Sequence, residues 1–182
     1  LSLTHTLSPL WYMTVGASSG SADFHNKYRG DLGIYRKWTD TQQWVTGLSV
    51  MKSASRDQVH RDTGITGSVA YYSTNAWVAE GGVVYNRSNP GAVDGFRGYG
   101  AITLGTAKNY YLTARLDHGK EAYLPVGAIA QSGNQVGFQS TEFSLQWRHW
   151  LAKDWGYVLG GQLYHNPYYN RKGISAAVFF DF

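Results

Sequence analysis

The chain ends Gly173-Ile174-Ser175-Ala176-Ala177-Val178-Phe179-Phe180-Asp181-Phe182, and the reading of this stretch decides the fold. Side chains alternate between the two faces of a strand with period two. Ile174, Ala176, Val178, Phe180 and Phe182 therefore share one face, against Gly173, Ser175, Ala177, Phe179 and Asp181 on the other. The same alternation recurs upstream. Tyr157, Leu159, Gly161 and Leu163 stand against Gly160, Gln162 and Tyr164. Phe143, Leu145 and Trp147 stand against Glu142, Ser144, Gln146 and Arg148. Trp77, Ala79, Val83 and Tyr85 oppose Glu80 and Asn86. Helical periodicity is nowhere sustained.

Working back from Phe182, the alternation predicts eleven strands, near 1–8, 10–19, 27–38, 43–53, 61–73, 76–88, 95–106, 109–120, 138–150, 155–166 and 173–182. Most have the roughly 9–11 residues of a tilted membrane strand. No run approaches the roughly 18 apolar residues of a spanning helix. The mean hydropathy is negative, as it is for barrels, whose strands average apolar and polar faces. Residues 1–182 are read as one domain.

Two patterns separate a membrane barrel from a soluble sandwich. The connections 167–172, 121–137, 89–94, 54–60 and 20–26 alternate with the shorter 151–154, 107–108, 74–75, 39–42 and Ser8-Pro9. Outer-membrane barrels have short periplasmic turns and longer outside loops. The second pattern is tryptophan. Trp11, Trp38, Trp44, Trp77, Trp147, Trp150 and Trp155 all lie within a few residues of a short turn. Amphipathic rings settle at the headgroup level, so the seven are expected to form one membrane-interface girdle, on the periplasmic side. Tyr28, Tyr85 and Tyr164 are candidates for the opposite girdle. The expected fold is all-β, an antiparallel up-and-down transmembrane β-barrel in the bacterial outer membrane, with its C-terminus periplasmic.

Eleven strands cannot close a bacterial single-chain barrel, which has an even count. An open edge in lipid leaves N–H and C=O groups unpaired. At least one strand is therefore expected before Leu1, giving at least twelve. A further strand within 121–137 is the alternative, but it breaks the loop alternation. No signal peptide is present, which is uninformative for a processed chain.

The polar face of each strand supplies the candidate lumen residues: Arg29, Asp31, Asp62, Glu80, Arg97, Arg115, Asp117, Glu142, Arg148 and Gln162, with Lys27, Tyr35, Lys37, Tyr99 and Tyr164 beside them. Facing lipid, Arg or Lys costs about 2–4 kcal/mol at the midplane, so these residues are expected to point inward. They either pair across a narrow lumen and brace it or line an aqueous path. A small, side-chain-filled barrel favours bracing. Phe180 and Phe182 are the expected assembly signal, read by the barrel-assembly machinery.

Other chemistry finds little support. The net charge of +4 is scattered, with no stripe suited to nucleic acid. A weak attraction to anionic lipid headgroups fits this charge as well, and outer-membrane lipid or lipopolysaccharide is an expected partner. Cysteine is absent, so there are neither disulfides nor thiolate metal sites. His5, His25, His60, His118, His149 and His165 share no metal spacing, and no cofactor is expected. Asp117, His118 and Ser140 invite a triad, but adjacent strand residues point to opposite faces, and no G-x-S-x-G elbow exists. The chain is read as non-enzymatic.

The segments Glu142–Arg148, Leu159–Tyr164 and Ile174–Phe182 resemble the end of the YaiO family of outer-membrane barrels. Tyr111–Tyr123, containing Leu116-Asp117-His118-Gly119-Lys120, is similar to its counterpart there. The resemblance covers most of the chain loosely and the last seventy or so residues best. It implies an outer-membrane barrel, about fourteen strands in the family, with no settled activity. Similar barrels end exopolysaccharide exporters, fed by a periplasmic helical-repeat region that this chain lacks, and one occurs in a phage-adsorption protein. The resemblance therefore implies a channel or secretion role for a polar solute or glycan, with a periplasmic or polysaccharide partner. The alternatives are surface recognition through the outer loops, and lipid A modification. For recognition, the long loop 121–137, whose one charge is Glu121, and the aromatic-cationic loop Pro167–Lys172 are the candidates.

Overall fold

The computed structural model describes residues 1–20, 26–56, 60–89, 91–123 and 136–181. Among these, eleven strands form one antiparallel sheet in chain order. They are β1 (Ser2–Ser8), β2 (Trp11–Ser18), β3 (Asn26–Trp38), β4 (Trp44–Ser55), β5 (Arg61–Tyr72), β6 (Trp77–Asn89), β7 (Val93–Thr106), β8 (Tyr110–Tyr123), β9 (Val136–Trp150), β10 (Trp155–His165) and β11 (Asn170–Phe180). Each strand pairs with its sequence neighbours, the simplest up-and-down order, and β1 and β11 form the two edges. All eleven expected strands are present.

The sheet is curled. One recess of about 340 Å³ is bordered by side chains from seven consecutive strands, β2 to β8. A flat sheet cannot place seven strands around one recess. The concave face carries Asp31, Met51, Gly64 and Asn86 in one row of register partners. The convex face carries Leu32, Val50, Ile65 and Tyr85 in the next. Large apolar side chains on the convex face stay open, Leu48 at 54% and Leu116 at 51% exposed. Most buried groups, among them Val45, Ser53, Ser88, Ser140 and Tyr164, lie on the concave side; Ala54 is the exception, on the convex face. This inverts a water-soluble sandwich and is the polarity of a barrel wall in lipid.

The turns depart from strict alternation of length. Connections 90–92 and 166–169 are as short as those at the opposite end, and 39–43 matches 56–60. The strands account for this. β7, β8 and β9 have 14, 14 and 15 residues, longer than a tilted span needs, so pairing continues into segments expected to be loop. Asn170, Arg171 and Lys172 are strand, not loop. The loop candidate 121–137 is paired at both ends, and its middle, 124–135, lies outside the described residues. Phe182 lies outside them as well.

Where the chain turns, backbone conformation is specialised. Gly105 has φ +120°, and a Cβ there would run into the Tyr110 carbonyl. Lys108 adopts φ 64°, unfavourable for an L-residue, and its side chain is engaged: Nζ lies 2.6 Å from Asp181 Oδ2. Trp150 Nε1 donates to the same oxygen at 2.8 Å, and Arg148 Nη2 donates to Oδ1 at 3.0 Å. The Asp181 amide donates to the Asp154 carbonyl. The end of β11 is thus latched to β9 and to the turn after β7.

The Lys108 hydrogen bond, then that of Trp150, holds the Asp181 carboxyl below its ordinary range. A carboxylate depressed in the folded state contributes stability above the unfolded value, near 4, that is lost as pH falls through the folded value. Asp181→Asn should lower the urea midpoint near neutral pH and flatten its fall below about pH 4, followed by tryptophan fluorescence. In the same assay, Gly105→Ala should cost at least about 2 kcal/mol. Gly100→Ala, whose Cβ meets nothing within 4 Å, should be neutral or gain up to about 1 kcal/mol.

Candidate functional site

The alternation that builds the wall sorts its charges. All ten candidate lumen residues lie on the concave face. Arg29 and Asp31 sit on β3, Asp62 on β5, Glu80 on β6 and Arg97 on β7. Arg115 and Asp117 are on β8, Glu142 and Arg148 on β9, and Gln162 on β10. Tyr35, Tyr99 and Tyr164 share that face. At Lys27 a bulge interrupts the alternation.

The charges pair along the wall. Arg29 Nη2 lies 2.6 Å from Asp31 Oδ1, two residues on in the same strand. Arg115 forks onto Asp117, Nε to Oδ2 at 2.7 Å and Nη2 to Oδ1 at 2.8 Å, the bidentate geometry that suits guanidinium and carboxylate. Its Nη1 stands 4.0 Å from Glu80 Oε1. Arg171 Nη2 lies 3.5 Å from Glu142 Oε2. Asp62 accepts from the buried hydroxyls of Ser88 and Ser53. Most inner-face ion pairs among the described residues join positions on one strand, or on strands at most two apart; the longer reach is that of Lys108, in the turn after β7, to Asp181 just beyond β11. Among these residues the pairing runs mainly along the wall.

Two clusters flank this ladder. Toward the end holding turn 166–169, Arg97, Glu121 and Ser140 bond one another. Tyr164 OH donates to Glu121 Oε2 at 3.2 Å and accepts from Asn166 Nδ2 at 3.1 Å. Asn166 Oδ1 accepts the Tyr168 and Tyr169 amides, which folds that turn onto the inner wall. Tyr164 is 5% exposed and serves the inner face, not an outer girdle.

Toward the opposite end, the 340 Å³ recess is ringed by Tyr12, Tyr35, Tyr72 and Tyr99, with Glu80 and Arg115. Tyr12 and Tyr35 are cross-strand partners with parallel rings 4.8 Å apart. The Tyr35 ring takes the space where a Cβ at Gly47 or Gly33 would stand, and Tyr99 does the same at Gly82, 2.7 Å away. Glycine on the neighbouring strand lets each ring settle against the wall, so the rings line the recess without filling it. Arg115 Cζ lies 3.9 Å from the Tyr99 centroid, a cation–π contact that fixes both.

All seven tryptophans lie at the end of the sheet holding turns 9–10, 39–43, 73–76, 107–109 and 151–154. Six face outward. The seventh, Trp150, pairs with Gly156 on the inner face and packs against Tyr111 and Phe179. Phe180 points outward at 65% exposed. Asp117 and Ser140 face inward while His118 faces outward, bonded to Thr141, so no triad forms. Among the described residues no cluster of His, Asp and Glu has the makings of a metal site.

Sequence reasoning put Glu121 and Arg171 in outer loops, beyond the expected strand ends, where the structure has them in β8 and β11, and it left out Tyr12 and Tyr72, whose parity with Thr14 and Ala70 gives their face. No functionally curated protein and no solved structure matches the chain. The YaiO membrane beta barrel domain matches residues 1–124. That span includes all of β1 to β8, but not the last three strands, where the resemblance was strongest. Matched over more than half its length by a profile whose architecture it also shows, the chain belongs to the YaiO family of membrane β-barrels.

Proposed function

We propose that this outer-membrane barrel is a non-enzymatic conduit whose inner wall guides a polar solute or a glycan. The observation that carries the reading is the tyrosine-ringed recess set among laterally paired charges. Charges paired along a wall leave the space beside them free, whereas charges paired across it close it. Tyrosine offers a ring face for stacking and a hydroxyl for hydrogen bonding, the combination that a sugar presents in return. Glu80, 43% exposed, stands 4.0 Å from Arg115 and meets the Tyr99 hydroxyl, and its two oxygens keep lone pairs to accept from further hydroxyl groups. A recess of about 340 Å³ falls within the roughly 300–1,000 Å³ of small-ligand sites.

The complete protein refolded into planar bilayers should conduct in discrete steps. A neutral hexasaccharide such as maltohexaose should interrupt the current, and Tyr99→Ala should shorten each interruption about tenfold. Silent bilayers, with no saccharide binding in solution, remove this reading.

A further inference from the structure

The convex face carries a pattern that the inner wall does not explain. At the tryptophan end its cation is Arg36, whose guanidinium lies 3.7 Å from the Trp38 ring centroid. From there to the opposite end, the outward positions of β3 to β10 hold no Asp, Glu, Lys or Arg. Then cations return together. Lys52 on β4 and Arg87 on β6 both pair with Thr63 on β5, one from each side, and Arg61 stands two residues from Thr63 on the same face. Lys120 and Lys172 continue the band on β8 and β11.

Register fixes the spacing. Adjacent strands lie about 4.8 Å apart and residues two apart about 6.8 Å. The Cα atoms of Lys52 and Arg87 are therefore about 10 Å apart, with Arg61 completing a triangle within reach of long side chains. All three are exposed. Among the described residues none of the three has a carboxylate within ion-pair distance, unlike Arg29, Arg97, Arg115, Arg148 and Arg171 inside. Asp94, the register partner of Arg87, brings one negative charge to this face, its Oδ1 accepting the Tyr85 hydroxyl at 2.7 Å and that hydroxyl also meeting Arg87, but the three cations outnumber it. The cluster thus keeps a net positive charge.

Its height is also fixed. Trp77 and Arg87 lie on the same face of β6, ten residues apart, about 33 Å along a strand and about 25 Å along the membrane normal at a tilt near 40°. That is the height of the apolar band of an outer-membrane barrel. The cations therefore stand at headgroup level on the side opposite the tryptophans.

We infer that Lys52, Arg61 and Arg87 form an outer-wall site for the phosphate groups of the glycolipid in the outer leaflet. Two facts favour this occupant: the charge complements a phosphomonoester, and the acyl chains of the same lipid meet the apolar band directly below. A diphosphorylated glycolipid offers two such anions on one rigid headgroup, which a three-cation triangle can divide between them. The assignment also sets the direction of insertion. The cation end faces outward, and Asp181 with the tryptophans lies on the periplasmic side.

The test is native mass spectrometry of the refolded full chain titrated with lipid A, with enzymatically dephosphorylated lipid A, and with phosphatidylglycerol. Wild type should hold lipid A about a hundredfold more tightly than the triple variant Lys52→Gln/Arg61→Gln/Arg87→Gln, near fivefold per cation. Dephosphorylated lipid A should bind wild type as weakly as lipid A binds the triple variant. Arg36→Gln should leave lipid A binding unchanged. If the triple variant fails to show heat-modifiable migration, Lys52→Gln and Arg87→Gln singly should each lose about fivefold. Equal lipid A binding by wild type and the folded variants overturns the site. Phosphatidylglycerol binding as tight as lipid A overturns the glycolipid as its occupant.

Discussion

Each strand hands its neighbour a ladder of N–H···O=C bonds, and the register of that ladder decides which side of the wall every side chain meets. A slip of one residue moves a whole strand's polar set into lipid. From β2 to β11 the pairing runs with irregularity only near Lys27 among the strands of the wall proper. The backbone needs the ladder because lipid offers no other partner for its polar groups. The side chains then need the register, because an ionised group facing the midplane costs more than most single contacts return. The turns serve the same end. Gly105 and the left-handed Lys108 reverse the chain tightly, and the ion pair from Lys108 to Asp181 fixes the last strand at the correct height.

Inside the wall, the chain balances its charges locally. Arg29 with Asp31 and Arg115 with Asp117 are i, i+2 pairs, which period two places on the same face with no help from tertiary structure. Such pairs form wherever the strand forms, whatever the width of the barrel. A wall built this way tolerates an empty centre. The tyrosines follow the same economy: a glycine on the adjacent strand receives the ring, so a large side chain occupies the wall's own thickness.

The strands were legible because a lipid-spanning strand must alternate. Their ends were not, for the converse reason. Past the apolar band both faces meet water and the alternation fades, so β8 was cut before Glu121 and β11 was started after Arg171. The part-buried network of Arg97, Glu121 and Ser140 went unseen with them. Trp150 shows a different limit. Nearness to a turn gives the height of a residue but not its face, and its parity with Arg148 places it inside. Tyr164 suits either environment by chemistry, and only its bonds to Glu121 and Asn166 assign it. The latch at Asp181 joins residues 73 apart, and no local pattern announces such a contact.

Period two also separates the two walls chemically. Residues i and i+1 share a backbone but meet different solvents, so an inner position and an outer one can change independently if the strand keeps its register. Lys52 and Met51, or Arg87 and Asn86, are neighbours in sequence with unrelated duties. One member faces the lipid headgroups and the other the inner face. Membership of a barrel family therefore constrains the alternation strongly and the inner wall weakly. The chemistry of that wall is set by the tyrosines, Glu80 and Arg115 of this chain. How the barrel sits in its membrane has to be argued from the outward cations. Neither set implies the other, and that independence lets each be altered without disturbing the fold that carries both.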